Sequence, residues 1–76
     1  MKKAFSAEKL IKITKELLYY WLVDQDKEKT YLYFMSLLPQ ERVLVRTALK
    51  DILTKSPSEE FRQAAYDIPQ YIKSKL

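Results

Sequence analysis

The sequence predicts an all-α fold: a compact bundle of four short helices with a Pro-broken C-terminal turn, expected to pair as a homodimer. Three observations carry this. Apolar residues recur every three to four positions over most of the chain. Glycine is absent from all 76 residues, so tight hairpins and phosphate-cradling loops lack the residue they normally require. Proline, serine and aspartate punctuate the chain where helices would start and stop. The length suits a single helical domain over 1–76, with residues 1–5 as a flexible N-terminal arm.

The first helix, over 7–23, is the expected organiser. Ala7, Leu10, Ile11, Ile13, Thr14, Leu17, Leu18, Trp21 and Leu22 share an arc of about half the circumference, wider than the usual ~100° stripe. Such an arc is able to touch two neighbours, with Trp21 near its centre. Ser6 is the expected N-cap, and Glu8 and Lys12 form an i,i+4 pair. Asp24-Gln25-Asp26-Lys27-Glu28-Lys29 reads as a polar break in which Asp24 or Asp26 caps the next helix. It lacks the glycine and the terminal acid of a calcium loop.

The segment 30–38, TYLYFMSLL, has strand-like composition and helix-like spacing, and the periodicity favours a helix from about Lys27 to Leu37. Pro39 suits the first position of a third helix, whose inner face is Val45, Ala48, Leu49, Ile52 and Leu53. Ser56-Pro57-Ser58-Glu59 matches a capping box with Ser56 as cap and Pro57 opening a fourth helix, which turns Phe61, Ala65 and Ile68 inward. Proline inside a helix removes a hydrogen bond and crowds the preceding turn, so Pro69 is expected to end or kink that helix near Asp67. A short final turn would then lay Tyr71 and Ile72 over the core.

Composition narrows the function. The chain has neither histidine nor cysteine, which removes the commonest metal ligands, the usual general base and any disulfide. No catalytic residue, metal or cofactor is expected, nor a small-molecule substrate, and the reading is of a non-enzymatic protein. The Met-Lys-Lys start lacks the apolar run of a signal peptide, and the longest apolar stretch, Leu17 to Val23, is far shorter than a membrane span, so a cytoplasmic location is expected.

Two binding classes remain. Tyr19, Tyr20, Trp21, Tyr31, Tyr33 and Phe34 put six aromatics into sixteen residues. Trp21 and Phe34 belong to the expected core. Tyr19, Tyr20, Tyr33, Met35 and the outward Val43 are the candidate protein interface, because Tyr and Met are enriched where proteins meet. A domain this small buries only about 60% of the surface its unfolded chain exposes, which also favours a partner protein or a second copy. A small helical interaction module, a regulator or adaptor, is thus the leading expectation.

The alternative is a sequence-tolerant nucleic-acid-binding protein. The net charge is +4. Arg42, Arg46 and Lys50 form an i,i+4,i+8 stripe on the third helix, and Lys9, Lys12 and Lys15 lie on the first. If the two faces adjoin, they would hold a phosphate backbone. The fragment Leu38-Pro39-Gln40-Glu41-Arg42-Val43-Leu44 resembles the opening of the promoter-reading helix-turn-helix region of sigma factors. The resemblance spans seven residues and lacks that family's glycine-containing turn and basic recognition helix, so no function is carried over from it.

Overall fold

The computed structural model describes residues 7–76. The expected arm at 1–5 and the cap at Ser6 lie outside the described residues. Four helices follow one another: α1 (Ala7–Leu22), α2 (Lys27–Met35), α3 (Pro39–Lys55) and α4 (Glu59–Ser74). Among the described residues none is long and apolar enough to cross a membrane.

Each connection is settled by a local contact. α1 ends with Gln25 in the left-handed region at φ 51, where glycine would be the ordinary choice. Asp26 then caps α2, its carboxylate accepting from the Lys29 N–H at 3.0 Å. Asp24 instead pairs with Lys29 at 3.3 Å. α2 forms although its pattern is weak, with Thr30 turned in and Leu32 out. The Thr30 hydroxyl donates to the Asp26 carbonyl at 2.9 Å, which lets a polar side chain occupy a fully buried position.

α3 begins without a side-chain cap at Leu38. The Glu41 carboxylate reaches back and accepts from the Leu38 N–H at 2.9 Å. The loop before α4 corrects the expected cap. Ser56 ends α3, Pro57 stays in the loop, and Ser58 is the N-cap, its hydroxyl accepting from the Phe61 N–H. The Ser56 hydroxyl is occupied with the Ser58 N–H, and its carbonyl accepts from the Arg62 guanidinium at 2.7 Å. The helix therefore starts two residues later than the serine–proline pattern suggests.

Pro69 does not end α4, which runs unbroken to Ser74. Ala64, Ala65, Ile68 and Ile72 are all buried. They hold the helix against the core on both sides of the proline, and that burial outweighs the lost backbone bond. Ile72 joins the core from within the helix, whereas Tyr71 lies against Trp21 at the rim.

Leu17, Thr30, Val45, Leu49 and Ile68 form the innermost layer, with every helix represented. α3 packs most extensively on α4, and α1 touches all three others. The core claims a narrower strip of α1 than the apolar arc offers. Ile13, Thr14, Leu17 and Leu18 are buried, whereas Ala7 is exposed and Ile11 is 55% exposed. Trp21 is at the rim rather than the centre, its ring edge-on to Tyr71 with centroids 5.8 Å apart and the Lys27 ammonium 5.6 Å away. Phe61, expected inside, is 43% exposed because it lies in the first turn of α4, at the bundle's end.

Candidate functional site: the tyrosine face of α1 and α2

α2 runs back along α1. Tyr20 on α1 meets Tyr33 and Lys29 on α2, and one connection further on Lys9 meets Glu41 at 3.1 Å. This antiparallel pairing builds a continuous strip of tyrosine. Tyr19 and Tyr20 are 6.3 Å apart between ring centroids, and Tyr20 and Tyr33 are 5.4 Å apart at 86°. Both contacts are edge-on, the arrangement the ring quadrupoles favour. The Lys29 ammonium lies 4.5 Å from the Tyr20 ring.

The strip is graded in exposure. Tyr20 and Tyr33 are partly buried and form its floor, while Tyr19 is 53% exposed. Burial, and then its hydrogen bond to the Glu16 carboxylate, hold the Tyr33 phenol above the ordinary tyrosine range, so it stays neutral and Glu16 is engaged as acceptor. Two shallow depressions open along the strip and share Tyr20. One is bounded by Lys12, Lys15, Glu16 and Tyr19, the other by Asp26, Lys29, Leu32 and Tyr33. Leu32 projects outward here, 57% exposed.

Three of the five expected interface residues, Tyr19, Tyr20 and Tyr33, are thus brought together. Met35 is not with them; it is half-buried against the core, and its carbonyl accepts from Arg42 at 3.3 Å. Val43 is exposed on α3, beside the partly exposed Leu44 and a turn before Thr47, whose hydroxyl donates to its carbonyl. Leu32 was missed in the sequence because its turn-spaced neighbours, Lys29 and Ser36, are polar. Only the position of the core shows which side of α2 is outermost.

The six expected nucleic-acid contacts are divided. Arg42 caps the end of α2, donating through Nε to the Leu37 carbonyl at 3.2 Å and through a terminal nitrogen to Met35. Lys9 is paired with Glu41. That carboxylate is held below its ordinary range, first by the Leu38 N–H and then by Lys9. Arg46 and Lys50 are exposed on the outer side of α3, and Lys12 and Lys15 border the tyrosine strip. Where α3 meets the basic side of α1, it presents the acid Glu41.

The three acids of the first loop do not converge. Asp24 pairs with Lys29, Asp26 caps α2, and Glu28 pairs with Lys75 at 3.3 Å while facing the Tyr71 hydroxyl. Hydrogen bonding to Glu28 holds the Lys75 ammonium above its usual range. No family model, curated protein or solved structure matches this chain.

Proposed function

We propose that this chain is a non-enzymatic interaction module, a regulator or adaptor, that works by protein–protein contact or self-association through the α1–α2 tyrosine face. The observation that supports it is the placement of Tyr19, Tyr20 and Tyr33 as one strip of ring contacts at the surface, with Tyr33 also packed against the core beneath it. Tyrosine offers wide contact area with few rotatable bonds and a hydroxyl for the rim, which suits a face alternating between water and a partner. The face is shallow, which fits a protein surface better than a small ligand. A cytoplasmic setting is part of this proposal.

The nucleic-acid reading retains Lys12, Lys15, Arg46 and Lys50, distributed over two helices, with Lys9 and Arg42 tied into the fold. It supplies fewer phosphate contacts than the sequence alone suggested.

A photo-crosslinking side chain at position 19, introduced into the full chain in its own host, is expected to capture a protein or a second copy. The same group at Thr47, on the outer face of α3, serves as control. Equal capture from both positions, or from neither, overturns the assignment of the face.

A further inference from the structure

The outer side of α1 carries an apolar row that the core does not use. Ile11, Lys15, Tyr19 and Val23 are spaced at i+4, and all four are exposed: Ile11 by 55%, Tyr19 by 53% and Val23 by 62%. Val23 lies one residue beyond the helix but continues it, its N–H donating to the Tyr19 carbonyl at 2.8 Å. The row is about 18 Å long at the rise of an α-helix, the span of three turns of a second helix laid beside it. Tyr20 and Leu32 continue it toward α2.

Two lysines border it without an ion pair. Among the described residues, Lys12 and Lys15 have no ion-pair partner, and the expected Glu8–Lys12 pair does not form. Glu16 lines the same depression and makes no ion pair with either lysine. Two ammonium groups without an ion pair, one turn apart, therefore flank an apolar row, in a chain of net charge +4.

Resting on the reading of this face as a docking surface, we propose that its occupant is an acidic amphipathic helix of a partner protein. The partner's apolar stripe lies on Ile11, Tyr19 and Leu32, and its carboxylates meet Lys12 and Lys15. Apolar contact supplies the affinity, and the lysines set orientation and exclude basic helices. A nucleic-acid strand would use the lysines and leave Ile11, Val23 and Leu32 in water. A bilayer would use the apolar groups, but the row is narrow and interrupted by Lys15, where an interfacial helix presents a broad uncharged face.

The test uses the full chain and three-turn synthetic helices. One carries leucines at i+4 flanked by glutamates, a second has lysine for every glutamate, and a third keeps the glutamates but replaces the leucines with alanine. Backbone NMR shifts and fluorescence anisotropy are followed at low and high salt. The first peptide is expected to bind, to perturb amides from Ile11 to Val23 and around Leu32, and to weaken with salt. Lys12→Glu with Lys15→Glu, and separately Tyr19→Ala, should each weaken it by at least about tenfold, whereas Arg46→Glu with Lys50→Glu should not. Thermal melts confirm that the variants fold. Equal binding of the lysine or alanine peptides overturns the proposal. So does tighter binding of a single-stranded oligonucleotide or of vesicles containing anionic lipid at the same face, or a concentration-dependent doubling of mass that the peptide does not reverse. If the acidic helix fails while crosslinking from position 19 still captures a partner, the partner class is wrong and the surface stands. If both fail, both readings fall.

Discussion

At the level of single residues, the absence of glycine has a cost that falls on Gln25. A side chain bearing a Cβ at φ 51 is destabilised by about 1–2 kcal/mol relative to a right-handed conformation. Gln25→Gly is expected to stabilise the protein by up to about 1 kcal/mol, because relief of that strain exceeds the entropy gained by the unfolded chain. The melting temperature should rise by several degrees, and Gln25→Val should lower it. Glu41 makes the second residue-level prediction. Its carboxyl titrates below the ordinary value because the Leu38 N–H and Lys9 stabilise the anion. That contribution is present above the unfolded-state value and is lost as pH falls through the folded one. Melting temperature followed from pH 7 to pH 3 should therefore decline less in Glu41→Gln than in the parent, which starts higher. Equal acid sensitivity would show that the carboxylate does not anchor α3.

Among the elements, α4 is where local rules and tertiary packing disagree most. Pro69 leaves the Ala65 carbonyl without its helical donor, yet Ile68 and Ile72 bury on either side and the helix continues. Pro69→Ala restores that donor and is expected to stabilise by about 2 kcal/mol, the interior penalty of proline less the entropy it removes from the unfolded chain. Hydrogen exchange of the amides from Gln70 to Ser74 should slow in the same variant. Unchanged exchange would mean that the last turns are held by Lys75, Glu28 and Tyr71 alone. α2 shows the opposite balance. Its composition favours a strand and its amphipathic pattern is weak, but the Asp26 cap and the inward turn of Thr30 and Phe34 make it helical.

For the whole molecule, stability depends on a core with few large side chains. Leu17 is fully buried on α1, one of the helices that touch all three others. Leu17→Ala should cost about 2–5 kcal/mol, a large part of what a domain of this size has. A chemical-denaturation midpoint shift without a change in slope would report that loss. A shift under ~1 kcal/mol would place the core elsewhere. Tyr19→Ala, by contrast, removes a side chain from the docking face and should leave stability within about 0.5 kcal/mol. The two substitutions separate what folds the molecule from what the proposed function uses.

The sequence by itself determined the number, order and type of the helices and most of the buried face of α3, and it narrowed the cap of α2 to Asp24 or Asp26, because spacing and local hydrogen bonding are short-range and act within a few residues. It also put Tyr19 and Tyr20 outside the apolar arc of α1, and Tyr33 at the edge of that of α2. Tertiary structure alone decided which edge of the wide α1 arc faces water, that Trp21 sits at the rim, that α4 passes through Pro69, and that Arg42 and Lys9 serve the fold. Those outcomes depend on where neighbouring helices stop. An arc of apolar residues records how much surface is able to be buried, and only the packed neighbours determine how much is.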